Sequence, residues 1–205
     1  MFGLKPEVIK LFTPFFQYAD GRLIFQYGNE VVESWAPEWH RVPSTSEFWL
    51  ANADHPNLIT DLYISYSAAE LLCFISQRAF LLKFPEQLAF AAVGLLPSTA
   101  QVEALKSTFP LARWHLIFDT NLVGRIADAA IATWFKGRTV SFQIMNEQVM
   151  ITYCDKPFMA DSGVFSLSRF ERITGLRAGM RTHKPLHGLS SFIELQFANY
   201  DTRTV

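Results

Sequence analysis

The sequence predicts an α/β fold of three layers, in which a parallel sheet lies between helices and a small amino-terminal β-hairpin subdomain precedes it. Two observations support this prediction. Strand-like and helix-like segments alternate regularly between Asn57 and Gly137, a pattern typical of a parallel sheet with right-handed crossovers. The chain of 205 residues is also half apolar and contains 19 phenylalanines, enough for a sizeable core.

Residues 1–56 are predicted to hold the hairpin and an aromatic, irregular region. The strand-like runs Arg22 to Tyr27 and Glu30 to Trp35 flank Gly28-Asn29, a pair typical of a two-residue hairpin turn. Three prolines and three large aromatic residues interrupt any regular pattern from Ala36 to Pro56. We therefore place a domain boundary near residue 56.

Residues 57–158 are predicted to form the α/β domain. Its strands cover Leu58 to Tyr66, Leu88 to Leu96 and Arg113 to Phe118. Its helices run from Ser67 to about Arg78, from Ser98 through Phe109, and from Leu122 to Lys136. The first two helices begin with the capping boxes Ser67-x-x-Glu70 and Ser98-x-x-Gln101.

Two further strands and a carboxyl-terminal extension complete the prediction. Thr139 to Ile144 and Gln148 to Tyr153 alternate apolar and polar residues, which indicates a strand that joins the sheet and its hairpin partner. Residues 159–205 form a basic extension that packs on the α/β domain. It holds a short helix over Phe165 to Leu176, opened by Ser166 or Ser168, and a helix or edge strand over Leu189 to Phe197.

Charge and hydropathy limit the possible partners. The formal net charge is −1, so any surface for nucleic acid has to be local. No stretch reaches the roughly 20 apolar residues of a membrane helix, and the amino terminus lacks the pattern of a signal peptide. Cys73 and Cys154 show no paired spacing. We expect a cytoplasmic protein without a membrane partner.

One segment resembles a known family. Leu116 to Arg125, L-I-F-D-T-N-L-V-G-R, resembles the D-N-D-x-A-G segment of the Toprim family, the catalytic domain of topoisomerases, bacterial primases and some nucleases. Leu95 to Lys106 is similar to the P-T-x-x-Q-x-x-x-L helix of primase-like members. The resemblance covers roughly Asn57 to Gly137. It implies a Toprim-type sheet and a setting of DNA processing or mobile elements.

The resemblance also implies a site at the carboxyl ends of the strands. It assigns Asp119 and Asn121 as ligands of magnesium, with Glu70 as a further catalytic candidate. The chain departs from the family twice: no carboxylate stands at Ser65 to Ser67, where the family has its catalytic Glu, and Asn121 replaces the second Asp. Magnesium prefers carboxylate oxygens. We therefore expect a catalytically impaired Toprim-like protein that binds nucleic acid or a protein partner.

The sequence leaves other interpretations of these acidic residues open. A rearranged acidic site, in which Asp61 or Glu70 joins Asp119 and Asn121 around one magnesium, would make the protein a nuclease or a primase-like enzyme. In a purely structural interpretation, Asp119 or Asn121 caps the helix that begins near Leu122, Gly124 allows close packing, and Glu70 completes its capping box.

A third possibility is a protein-interaction or structural module. Trp35, Trp39 and Trp49 would then form an exposed aromatic patch for a partner or for a second copy of the chain.

The carboxyl-terminal extension, called the tail below, has a clear excess of basic over acidic residues in its middle part. Between Phe165 and Ser190 there is a single acidic residue, Glu171, against five basic ones, whose side chains suit phosphate contacts with DNA or RNA. These basic residues are Arg169, Arg172, Arg177, Arg181 and Lys184. If the tail folds over the carboxyl edge of the sheet, the last three lie near Asp119. Otherwise the residues form a solvated face or salt bridges.

The histidines are weaker candidates for a functional site than the residues named above. His40, His55 and His115 are isolated and predict packed or surface imidazoles. His183 and His187 are four residues apart, but Pro185 between them argues against a shared helical face and a metal site.

Overall fold

The computed structural model describes residues 1–29, 31–186 and 188–201. Glu30, the first residue of one predicted strand, and His187 therefore lie outside the described residues.

The described residues form six α-helices and twelve strands. In chain order they are α1 (Pro6–Phe12), β1 (Gln17–Ala19), β2 (Arg22–Tyr27), β3 (Val31–Ala36), β4 (Trp39–Arg41), β5 (Trp49–Ala51), β6 (Asp61–Ser65), α2 (Ala68–Gln77), β7 (Leu88–Ala92), α3 (Thr99–Thr108), β8 (Arg113–Ile117), α4 (Leu122–Phe135), β9 (Val140–Met145), β10 (Gln148–Tyr153), β11 (Lys156–Asp161), α5 (Leu167–Thr174), β12 (Arg181–Thr182) and α6 (Phe192–Asp201). Short 3-10 helices cover Thr13–Phe15, Pro56–Leu58, Ala79–Lys83 and Pro85–Gln87.

The main sheet has the order β12-β8-β6-β7-β5. Its first four strands are parallel, and β5 pairs antiparallel with β7 at the edge. One face packs on α2 through the apolar side chains of Tyr63, Phe90 and Ile117. The other face packs on α3 and α4 through Leu62, Ile64 and Leu116. The predicted α/β class with parallel strands is confirmed.

Capping side chains explain where the helices of the main sheet begin. Ser67 Oγ accepts from the backbone N–H of Glu70 at 3.1 Å, and Ser98 and Gln101 complete a reciprocal capping box. Asn121 Oδ1 accepts from the N–H of Gly124 at 2.9 Å. Each contact satisfies an amide that the first turn of a helix leaves unpaired, so the sequence locates these starts well.

Two smaller antiparallel sheets flank the main sheet. One has the order β1-β2-β3-β4, and the other has the order β11-β10-β9. The prediction that a strand over Thr139 to Ile144 joins the main sheet is wrong. The sheet edge beside β8 is occupied by β12, where Arg181 pairs with His115, and β9 pairs with β10. The second small sheet buries Val149 and Ile151 against α5.

The helices at the two ends of the chain pack on the α2 side. The backbone N–H of Lys5, just before α1, donates to Ser76 Oγ at 3.0 Å. The segment that the sequence left open between helix and edge strand forms α6, and Gln77 Nε2 of α2 donates to Gln196 Oε1 of α6 at 2.7 Å. None of the described helices is long and apolar enough to cross a membrane.

The predicted aromatic patch does not form. Trp35 is fully buried, and Trp49 is 2% exposed with its indole N–H donated to the carbonyl of Phe15. Only Trp39 is exposed, and the guanidinium of Arg22 lies over its ring. The irregular region is aromatic because it fills the core between the first small sheet and the main sheet, where Trp49 contacts Phe25 of β2.

Candidate functional site

Asp119 and Asn121 lie at the carboxyl edge of the main sheet, in the turn from β8 to α4. Asp119 Oδ2 accepts from Asn121 Nδ2 at 3.2 Å, and Asn121 Oδ1 caps α4 through Gly124. A Cβ at Gly124 would lie 2.4 Å from the carbonyl oxygen of Asp119, so only glycine permits this close approach. The capping interpretation of Asn121 is therefore confirmed.

Asp119 retains one oxygen without a partner. Its Oδ1 is buried and makes no hydrogen bond within the described residues. The Tyr66 phenol lies close to the carboxylate. Burial raises the pKa of both groups, and the phenol opposes that rise at Asp119. Asp119 is thus the only member of the predicted metal pair with a free ligand atom, since the amide oxygen of Asn121 is used by α4.

Glu70 does not cap its own helix as predicted. Its two carboxylate oxygens accept from the backbone N–H groups of Phe192 and Ile193, in the first turn of α6. Glu70 is 1% exposed, and burial raises its pKa to about 8 against the opposing effect of these two amides. A capping box predicts only partners within the same helix, so the sequence did not indicate that Glu70 would contact α6.

The rearranged magnesium site with Asp61 does not form. Asp61 is the first residue of β6, while Asp119 lies two residues beyond the end of the parallel neighbour β8. A strand of this length separates the two edges by about 13 Å. Among the described residues, no three His, Cys, Asp or Glu side chains are grouped so that they could hold a metal ion.

A carboxylate that the sequence did not single out reaches the start of α2. Glu33 of β3 is fully buried and accepts from Ser67 Oγ at 2.7 Å and from the N–H groups of Ala68 and Ala69. It also accepts from Tyr27 Oη at 2.6 Å and pairs with His40 Nε2 at 2.9 Å. The strand pattern predicts that Glu33 points inward. Its partners on α2 are known only once the first small sheet is packed against that helix.

The five basic residues of the tail do not form one surface. Lys184 alone lies at the carboxyl edge, and its Nζ donates to the carbonyl oxygens of Phe118 and Asp119. It also pairs with Asp128 of α4 at 2.6 Å. Burial raises the pKa of Asp128 to about 7, although Lys184 lowers it. The charge of Lys184 is thus used within the protein.

The other four basic residues are divided between α5, the connection that follows it and β12. Arg169 and Arg172 are on α5, which packs on α4 and β11. Arg177 is exposed in the connection that leads to β12. Arg181 begins β12 and pairs with His115, so it lies toward the amino ends of the strands, opposite to Asp119. The tail runs along the edge of the sheet as far as β12 and reaches the carboxyl ends of the strands only from Lys184 onward, where the carbonyl of Ser190 accepts from the N–H of Thr120. Lys184 is therefore the member of the five that contacts the Asp119 turn.

Two adjoining cavities open along this edge, and we call them together the edge groove. The first has a volume of about 290 Å³ and the second about 350 Å³. Consecutive residues line the two cavities: His183 and Lys184 line one each, as do Leu81 and Phe80. The polar and aromatic residues of the groove are Asp61, Tyr63, Gln77, Arg78, Phe80, Phe84, Gln87, Arg113, His115, Arg181, His183, Lys184, Phe192 and Asn199.

Cations and exposed rings lie together in the edge groove. Arg113 pairs with Asp61 at 2.9 Å, whereas Arg78 and Arg181 have no carboxylate partner within the part of the chain that the structure describes. Phe80 and Phe84 are 73% and 51% exposed. The groove therefore presents two guanidinium charges and two phenyl rings to solvent.

A chain of hydrogen bonds runs into the first cavity. Asp61 Oδ1 lies 2.8 Å from His115 Nε2, and His115 Nδ1 lies 2.9 Å from His183 Nε2. The His115 ring stacks between Tyr63 and His183, with centroid distances of 4.6 Å and 5.2 Å. The isolated histidines of the sequence did not indicate this chain, because its third member, His183, directly follows the unpredicted strand β12.

The pKa values of the chain follow from burial and charge. Burial raises the pKa of Asp61, but hydrogen bonds from Thr60, Arg113 and His115 outweigh it and hold the pKa below its usual range. Burial lowers the pKa of His115 against the opposing effect of Asp61. Burial, His115 and the arginines Arg78 and Arg181 lower the pKa of His183 to about 4. At neutral pH the carboxylate is charged and both imidazoles are neutral.

The fold and this groove define a class: an α/β protein with a parallel sheet and a basic, aromatic groove along its edge strand. Comparison with protein families, curated proteins and solved structures finds no match for the chain. The resemblance to the Toprim family therefore stays a prediction.

Proposed function

We propose that this protein binds single-stranded nucleic acid in the edge groove. The observation that carries the proposal is the combination of Arg78 and Arg181, which lack carboxylate partners in the described chain, with the exposed rings of Phe80 and Phe84. Proteins that bind single strands join a positively charged groove to aromatic side chains on which bases stack.

A single strand suits the groove better than a duplex. Phenyl rings can stack only on bases that are free of neighbours, and the bases of a duplex already stack on one another. The net charge of −1 provides no general attraction for a polyanion, so the local cations have to supply it.

We also propose a Toprim-like ancestry with impaired metal chemistry at the carboxyl edge. The resemblance over Asn57 to Gly137 supports a setting of DNA processing as part of this proposal. Two observations support the impairment: Asn121 stands in place of a carboxylate and caps α4, and both oxygens of Glu70 are engaged by α6.

The test is a fluorescence-anisotropy titration of labelled single strands and duplexes, with and without magnesium. We expect single strands to bind more tightly, and binding to weaken between about 50 and 200 mM salt. Arg181→Ala should weaken binding and reduce its salt dependence. Phe84→Leu should weaken it by about 1 to 3 kcal/mol per stacked base with little effect on the salt dependence, because a stacking surface is lost without loss of charge.

Arg172→Ala is the matched control. Arg172 is an exposed arginine of the same tail, but it lies on α5, away from the edge groove. Absence of binding at low salt contradicts the proposal. An equal loss of affinity in Arg172→Ala and Arg181→Ala also contradicts it, because a diffuse basic tail would then be the binding surface.

A further inference from the structure

The chain Asp61–His115–His183 has the geometry of a proton relay. Its two hydrogen bonds, of 2.8 Å and 2.9 Å, connect a carboxylate to two imidazoles in series. The side chain of Asp61 is 13% exposed and that of His115 is 5% exposed, whereas His183 is half-buried and lines the first cavity. The chain thus leads from a shielded anion to the solvent-facing part of the edge groove.

The hydrogen-bond partners of His115 and His183 determine which nitrogen of each imidazole carries the proton. The ionised Asp61 can only accept, so His115 carries its proton on Nε2 and offers the lone pair of Nδ1. His183 must then donate from Nε2, which leaves a lone pair on its own Nδ1. Within the described residues, Nδ1 of His183 has no hydrogen-bond partner.

Polar groups of several elements face His183, and three of them are arginines. The groups that face His183 are His115 and Arg113 of β8, Tyr63 of β6, Arg78 at the end of α2 and Arg181 of β12. A phosphate held by Arg78 or Arg181 would therefore lie beside a neutral imidazole with a free lone pair.

We propose that the edge groove also cleaves RNA, with His183 as the general base. This inference rests on the proposed function, because the groove must first hold the strand. RNA carries a 2′-hydroxyl next to each phosphodiester, so the nucleophile is already positioned and a single base suffices to activate it.

The cleavage reaction involves only the RNA, His183 and water. His183 Nδ1 takes the proton of the 2′-hydroxyl, the 2′-oxygen forms a bond to phosphorus, and the bond from phosphorus to the 5′-oxygen breaks. The leaving 5′-oxygen takes a proton from water, and His183 returns its proton to solvent. The products are a 2′,3′-cyclic phosphate and a 5′-hydroxyl, and DNA is not cleaved.

The remaining groups have supporting roles. Arg181 stabilises the negative charge that builds up on the phosphate oxygens. His115 and Asp61 are positioning residues: they hold the tautomer of His183, and the anion of Asp61 favours the imidazolium that forms in the reaction.

The experiment incubates the full chain with an end-labelled single-stranded RNA in the presence of a metal chelator, and identifies the products by their terminal phosphates. We expect cyclic-phosphate ends from RNA, and no cleavage at a position carrying a 2′-deoxy substitution. His183→Gln should slow cleavage at least ~100-fold, the scale of a lost general base, while it still binds an uncleavable 2′-deoxy strand. Asp61→Asn should lower kcat and shift the pH profile of kcat, whereas a reduced fraction of folded protein would lower kcat without shifting that profile.

The control is His55→Gln, prepared in the same way, because His55 is exposed and lines neither cavity. Circular dichroism verifies that each variant is folded. Binding of RNA without cyclic-phosphate products, or cleavage by His183→Gln at the wild-type rate, overturns this inference and leaves the proposed function intact. Absence of binding overturns the proposed function as well.

Discussion

At the scale of single residues, the carboxylate of Glu33 joins the first small sheet to α2 through five hydrogen bonds. It accepts hydrogen bonds from Tyr27 in the first small sheet and from Ser67, Ala68 and Ala69 at the start of α2, and it pairs with His40. A buried carboxylate is costly unless every lone pair finds a donor. Glu33 meets that condition only because the small sheet and α2 are packed together.

Glu33→Gln should destabilise the protein by about 2 to 4 kcal/mol. The amide replaces an acceptor with a donor that faces other donors, and it removes the charge that strengthens these hydrogen bonds. Urea unfolding measures the loss. Glu38→Gln, an exposed glutamate two residues beyond the same strand, should change the free energy of unfolding by less than about 0.5 kcal/mol. Equal stability of the two variants would mean that Glu33 contributes nothing beyond its volume.

The histidines of the edge groove should make stability depend on pH. The pKa of His183 is lowered to about 4, against 6.5 in an unfolded chain, and that of His115 is also lowered. Between about pH 4 and 6.5 the unfolded chain therefore binds more protons than the native protein. The contribution of the two neutral histidines to the free energy of unfolding is complete above about pH 6.5 and is lost as the pH falls toward 4.

The comparison of wild type with His183→Gln isolates this effect from other titrating groups. We expect the free energy of unfolding of the wild type to fall by about 1 to 2 kcal/mol more than that of the variant between pH 7 and about pH 4.5, a range reduced for partial solvent screening. His55→Gln, with an exposed imidazole, should follow the wild type. Parallel pH curves for all three proteins would show that His183 is not held neutral.

At the scale of secondary-structure elements, α6 depends on α2. Glu70 accepts from two amides in the first turn of α6, and Gln77 contacts Gln196. An isolated helix of ten residues is marginal in water, so these contacts and the burial of Phe192 keep α6 folded.

Glu70→Ala should loosen α6 selectively. Loss of the carboxyl group leaves the buried amides of Phe192 and Ile193 without acceptors, and we expect hydrogen exchange in α6 to accelerate roughly 10- to 100-fold, the scale of buried donors left unsatisfied. The exchange of α4 should change little. Glu103→Gln, an exposed glutamate of α3, serves as the control. Uniform acceleration throughout the chain would indicate global destabilisation and no specific anchor.

At the scale of the whole molecule, the sequence predicts what local patterns determine. The strands around Leu62, Phe90 and Leu116 and the helices that follow them carry strong apolar periodicity and explicit caps at Ser67, Ser98 and Asn121. The parallel arrangement follows from their alternation. These parts of the fold need no knowledge of distant contacts.

The candidate site depends on distant contacts and was predicted poorly. Asp61 and His115 are 54 residues apart, and His115 and His183 are 68 residues apart. The strand that carries Arg181 has only two residues, too few for any periodicity. Alternation along β6 and β8 does place Tyr63 and His115 on one face, but their partner becomes visible only when the tail is placed beside β8.

The contact between Glu33 and α2 has a consequence for where a ligand can bind. The amino terminus of a helix that follows a parallel strand is a common cradle for phosphate, because its free N–H groups point outward. In this molecule the cradle of α2 is filled from within, since Ala68 and Ala69 donate to the protein's own carboxylate. A phosphate that approached there would have to displace a buried anion, so this end of the first crossover is closed to such a ligand.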